Sequence, residues 1–159
     1  AAAQAYLADR DHFDKATDDH RSSIEEITLG KWSGEKPASA QDISRLCKSV
    51  PFDLPQGYLD LLRRHNGREG DLGLEPMWLQ LWDIDLVLDQ RADEFFRSEF
   101  PNYFFFASNG GRESIAIRYL EDGSTDIVMV DAIAGTSSAV VIARDFGVFT
   151  RAISKDYEA

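Results

Sequence analysis

The chain has 159 residues, 43% of them hydrophobic, and a single cysteine, which fits one domain that buries one core without disulfide staples. Its 28 acidic residues against 17 Lys and Arg leave a net charge of −11, which repels nucleic-acid phosphates and is complemented by a basic partner or explained by solubility alone. No apolar run approaches the ~18 residues of a membrane span, and Ala1-Ala2-Ala3-Gln4 opens no signal peptide, so a cytoplasmic protein is expected.

Residues 1–38 read as an acidic N-terminal extension and linker, and residues 39–159 as the folded domain. Over 1–22 the polar, acidic pattern predicts a solvent-facing helical extension. His12 and His20 stand there among Asp9, Asp11, Asp14, Asp18 and Asp19, but their spacing fits no standard metal cage, so no metal is expected. A brief strand is expected over 27–32.

A first helix is expected over 39–50. Ser39 with Asp42 three residues on forms a capping box, and Ile43, Leu46, Cys47 and Val50 recur at helical spacing. That stripe makes Cys47 an inert core thiol, and a lone cysteine agrees with a reducing compartment. Pro51 ends the helix, and Pro55 opens a second at its first position, with Tyr58, Leu61, Leu62 and His65 along one face. Asn66-Gly67 supplies a left-handed cap, Arg63 and Arg64 suit the last turn, and His65 reads as a packing histidine.

Residues 77–82 predict a strand. Asp83 then caps a third helix over 84–96, with Ile84, Val87, Leu88, Arg91 and Phe95 on one side. Strands follow over 103–107, 114–120 and 127–132, joined by the turn pairs Asn109-Gly110 and Asp122-Gly123. A fourth strand over 139–143 leads to Asp145, which caps a last helix carrying Phe146, Phe149, Ala152 and Ile153. Helices, then a meander, then a helix predict an α+β fold with an antiparallel sheet and helices packed on it.

Ser108-Asn109-Gly110-Gly111 invites a phosphate-loop reading. Such a loop needs a helix behind it, but the next residues, Arg112-Glu113-Ser114-Ile115-Ala116-Ile117, alternate as a strand does, so the glycines turn a hairpin. No GxSxG, HExxH, CxxC or nucleotide fingerprint occurs. The acidic pairs Asp83 with Asp85 and Asp93 with Glu94 reflect the abundance of acids, and adjacent helix residues face different ways. No catalytic residue, cofactor or metal is expected.

Five stretches resemble, in order, the SUKH superfamily, and in particular its yeast cell-wall-assembly-regulator branch. They are LPQGYLDLLRRHNGREG (residues 54–70), LQLWDIDLV (79–87), PNYFFFASNGGRESIAI (101–117), DIVMVD (126–131) and VIARDFGVFTRAI (141–153). The resemblance covers about residues 39–153. The chain departs from it at Ser108-Asn109-Gly110-Gly111, where the family often carries an acid before glycine, and in an extension of almost 40 residues.

The resemblance implies an α+β fold with a mixed sheet, no catalysis, and a protein-binding module. In bacteria such domains resemble immunity proteins that neutralise a toxin, often a nuclease. The matched residues Pro55, Tyr58, Leu62, Asn66, Gly67, Trp82, Gly110 and Gly111 are expected to cap, pack or turn the chain.

A cognate toxin or other basic protein is therefore the expected partner, with an intracellular scaffold that binds several proteins or peptides as the alternative. Nucleic acid and membrane are not expected as partners. Candidate contact residues are Asp83, Asp85, Glu94, Glu99, Tyr103, Asn109, Glu113, Asp122 and Asp131, offering acids for steering and aromatics as anchors near the helix-to-sheet junction.

Overall fold

Local chemistry sets the helices first. The computed structural model describes residues 33–34 and 36–158, so the expected extension over 1–22 with His12 and His20, and the strand over 27–32, lie outside the described residues. Helix α1, Ala40–Ser49, starts at a full capping box. The Ser39 hydroxyl accepts from the Asp42 N–H at 3.1 Å, and the Asp42 carboxylate accepts from the Ser39 N–H at 3.4 Å.

Ile43, Leu46 and Val50 are buried as expected, but Cys47 is exposed, which corrects its assignment to the core. At about 100° per residue the three buried side chains centre on a line roughly 60° away from Cys47, and only that narrower stripe meets neighbouring helices.

Helix α2 spans Gln56–Arg64, with Pro55 at the N-cap, one place before the position expected for it. The His65 N–H donates to the Leu61 carbonyl at 2.8 Å, and the chain then turns through Gly67 at φ 95°.

Among the described residues seven strands follow the chain in space. They are β1 Ser33–Gly34, β2 Arg68–Asp71, β3 Trp78–Leu81, β4 Tyr103–Ser108, β5 Glu113–Tyr119, β6 Thr125–Asp131 and β7 Val140–Ala143. The sheet order is β1 to β7 and each pairing is antiparallel. The α+β expectation holds. The mixed sheet implied by the resemblance resolves, among the described residues, into an all-antiparallel meander.

Strand β2, Arg-Glu-Gly-Asp, has no apolar alternation and was not expected; its backbone is satisfied by β1 on one side and β3 on the other.

Between β3 and β4 the single helix expected over 84–96 is two. Helix α3 is Ile84–Ala92 and helix α4 is Glu94–Glu99. Asp93 ends the first and caps the second, its carboxylate accepting from the Phe95 N–H at 2.9 Å. The break swings Phe95 out of the stripe assigned to it, and the side chain is exposed. Helix α5, Phe146–Glu158, closes the fold behind Asp145, whose carboxylate accepts from the Val148 N–H at 2.8 Å.

Strand β4 is buried along its whole length because helices cover both of its faces. On one face Tyr58 of α2 meets Phe104 and Phe106 edge-on at 5.4 Å each, with Phe146 and Phe149 of α5 behind them. On the other, Phe96 of α4 and the following Phe100 pack against Phe105 at 5.5 and 5.2 Å. A bulge at Phe106 shifts the register between Phe105↔Ala116 and Ala107↔Ile115.

The Tyr58 hydroxyl is buried in this core with no hydrogen-bond partner among the described residues, and burial raises its pKa. Tyr58→Phe is therefore expected to hold or raise stability, by up to about 1–2 kcal/mol, because an unsatisfied polar atom is removed and the ring contacts stay. A urea midpoint well below that of the parent chain would show that the hydroxyl has a partner in solution.

Candidate partner-binding surface

The register separates the nine candidate residues into three places. Strand β4 runs from Tyr103 at one end of the sheet to Ser108 at the other, and β5 returns so that Tyr103 faces Arg118. Asn109, Glu113 and Asp131 thus lie at the Ser108 end, which also carries the loops after β2 and β6. Asp83, Asp85, Tyr103 and Asp122 lie towards the opposite end. Glu94 and Glu99 are the exposed first and last residues of α4.

Several of these side chains are engaged in building the fold. The Asp83 carboxylate caps α3 by accepting from the Leu86 N–H at 2.8 Å. The Asn109 amide oxygen accepts from the Gly111 and Glu113 N–H groups at 2.7 and 3.2 Å, and Asp131 accepts from Ile133 at 2.9 Å. Asp122 accepts from Ser124, and turn formation lowers its pKa, as the Ser124 side-chain and backbone donors stabilise the charge. Asp85 pairs with Arg45 at 2.7 Å, an exposed pair worth little to stability. Tyr103 is buried, 9% exposed, so it does not supply the surface aromatic anchor expected of it.

The Ser108 end carries acids and, at strands spread from β3 to β7, exposed apolar side chains. Glu113 faces Asp131 across the β5–β6 ladder, and Arg112 reaches Asp131 at 3.3 Å. Ile133 is 71% exposed, Met77 58% and Val140 54%. Sequence patterning missed these three because Met77 and Ile133 flank strands and Val140 opens one, and the inward neighbours carry the apolar signal.

Ser108-Asn109-Gly110-Gly111 is a structural turn tied to a buried polar file. The Gln80 amide donates to Glu69 at 3.0 Å, the Ser108 hydroxyl donates to the Gln80 amide oxygen at 3.3 Å, and the Gly110 N–H donates to Ser108 at 3.4 Å. Gly110 sits at φ 77°, where a Cβ would stand 3.2 Å from the Gln80 amide nitrogen. Strand β5, with no helix between, follows this turn, so no helix N-terminus faces it.

His65 is half-buried, and burial followed by the charges of Arg68 and Arg64 lowers its pKa to about 4. It is neutral at physiological pH, in line with a packing role. No group of three or more metal-binding side chains occurs among the described residues. No helix among them is long and apolar enough to cross a membrane.

A pocket of about 220 Å³ opens between the end of α3, α4 and the start of β4. Gln90, Arg91 and Arg97 line it together with the rings of Phe96, Phe100 and Tyr103. Of its residues only Tyr103 was singled out from the sequence as a contact. Arg91 carried a usable signal, a charged residue on the apolar stripe of its helix.

No curated protein sequence matches the chain. The sequence profile of the SMI1 / KNR4 family (SUKH-1) matches residues 37–152. That span holds all of α1 to α4, strands β2 to β7 and the first half of α5. The match therefore takes in nearly the whole described fold, and the chain belongs to the SMI1 / KNR4 (SUKH-1) family.

Proposed function

We propose that this domain is an immunity-type module that binds a basic cognate toxin, of which a nuclease is the leading class, and masks it. Domains of the family are generally non-catalytic and protein-binding. The observation that carries the finer reading is the net charge of −11. A surplus of that size attracts a cationic domain from solution and speeds encounter.

The Ser108 end of the sheet is the docking surface we favour, because Ile133, Met77 and Val140 provide apolar area to bury beside Glu113 and Asp131. Capture from a lysate of the encoding organism, washed at low and high salt, identifies the partner. Association with it is expected to slow by roughly tenfold or more as salt rises from about 0.05 to 0.5 M. Ile133→Asp is expected to weaken the complex by a similar factor, while Glu94→Lys with Glu99→Lys slows association only. A salt-independent on-rate sinks the electrostatic part, and unchanged affinity in Ile133→Asp moves the surface elsewhere.

The second reading, a scaffold that binds several peptides, draws support from the pocket between α3, α4 and β4, which is the size of one side chain. It predicts several modest partners in place of one tight one.

A further inference from the structure

The pocket is locally cationic on a chain of the opposite sign. Arg91 and Arg97 both line it, and among the described residues neither has a carboxylate within ion-pair distance. The neighbouring Arg118 differs, since Asp126 grips it through two bonds of 3.0 and 2.7 Å. Arg91 is fixed in place, its guanidinium 5.2 Å from the Phe52 ring centre, and Phe52 stacks on Tyr119 at 4.3 Å. Burial lowers the Arg91 pKa, and the charge of Arg97 acts in the same direction. Two guanidiniums that line one pocket and repel each other are relieved by an anion bound there.

A second observation points to the same ligand. Gln90 is only 5% exposed, and its side-chain nitrogen is buried with no acceptor among the described residues. Such a donor costs stability unless something accepts from it. The remaining wall is Pro101 and the rings of Phe96, Phe100, Tyr103 and Phe105. At about 220 Å³ the pocket is smaller than the ~300–1,000 Å³ typical of sites for drug-sized ligands, which leaves room for a group the size of one side chain.

From these features we infer that the pocket binds a single carboxylate carried on a short apolar stem, with Arg91, Arg97 and Gln90 as donors and the rings around the stem. This ligand chemistry goes beyond toxin binding and does not depend on it. Two sources supply it, the C-terminal residue of a polypeptide and a free aromatic acid.

The test is a titration of the full chain, followed by NMR at the Gln90 side-chain amide and the Arg97 Nε–H. The probes are 3-phenylpropionate, the tripeptide Gly-Gly-Phe, its C-terminal amide, and inorganic phosphate. Both carboxylates are expected to shift these resonances, and the amide to bind at least about tenfold more weakly. Tighter binding of the tripeptide assigns the pocket to chain ends, and equal or tighter binding of phenylpropionate assigns it to free acids.

Arg97→Gln, at an exposed position, is expected to weaken binding by about ten- to a hundredfold. Gln90→Met is expected to weaken binding while raising Tm, a combination that a purely packing role for Gln90 does not produce. Equal binding of acid and amide, binding of phosphate as tight as either acid, or no shift at Gln90 and Arg97 overturns the inference.

Discussion

Phe106→Ala is expected to cost about 3–5 kcal/mol, the range for emptying a buried phenylalanine site. The side chain is fully buried. Its ring meets Tyr58 at 5.4 Å, Phe146 at 5.6 Å and Phe149 at 5.5 Å, so one residue joins α2 and α5 to the sheet. It also occupies the bulge of β4, where the backbone is held in one register and cannot slide to fill the cavity. Since small domains are stable by roughly 5–15 kcal/mol, the variant is left near the folding threshold. Urea unfolding is the measurement, with a large fall in midpoint at unchanged slope. A loss under about 1 kcal/mol would mean that the core collapses around the gap and that α5 is held by other contacts.

Gly67→Ala is expected to cost roughly 2–4 kcal/mol, from backbone strain and overpacking together. Gly67 sits at φ 95°, and a Cβ there would stand 3.0 Å from the Asp83 Cβ and 3.2 Å from the Asp83 nitrogen. The side-chain carbonyl oxygen of the neighbouring Asn66 accepts from the Ile84 N–H at 2.9 Å. The turn after α2 therefore clamps the start of α3. Because α3 carries Gln90 and Arg91 at its far end, the substitution is expected to shift the NMR resonances of both as well as lower stability. A variant as stable as the parent chain, with those resonances unmoved, would show that the clamp is slack.

Much of the fold was legible because its signals are local. The capping box of Ser39 and Asp42, the caps at Asp83 and Asp145, and the Asn109-Gly110 and Asp122-Gly123 turns are each decided within a few residues, and the structure places each where expected. The errors arose where neighbours decide. Cys47 lies at the edge of an apolar stripe, and which edge is covered depends on the helices opposite. Asp93 suits a helix interior or a cap, and only the packing of Phe96 and Phe100 under β4 selects the cap. Strand β2 exists because β1 and β3 flank it, a fact absent from the four residues themselves.

The candidate surface was less legible for the same reason. Acids can be counted in a sequence, but whether a carboxylate caps a turn, as those of Asp122 and Asp131 do, or faces solvent depends on backbone geometry. Tyr103 looked like an anchor because an aromatic at a strand start has no period to show which way it faces; Phe100 and Phe105 enclose it. The pocket needs Arg91 from one helix and Arg97 from the next, and their convergence is a result of the break at Asp93.

The order of the sheet bears on how the chain emerges from a ribosome. Since β1 to β7 are neighbours in space as they are in sequence, each new strand finds its partner already made and covers the edge left open by the one before. Loop closure stays cheap at every step but two, β1 to β2 and β3 to β4, each of which crosses two helices. Strand β3 must wait, its edge unpaired, while α3 and α4 are synthesised. During that interval the nascent domain's exposed edge is a strand whose residues Leu79, Gln80 and Leu81 end up buried, and β4 is the strand that finally covers that edge.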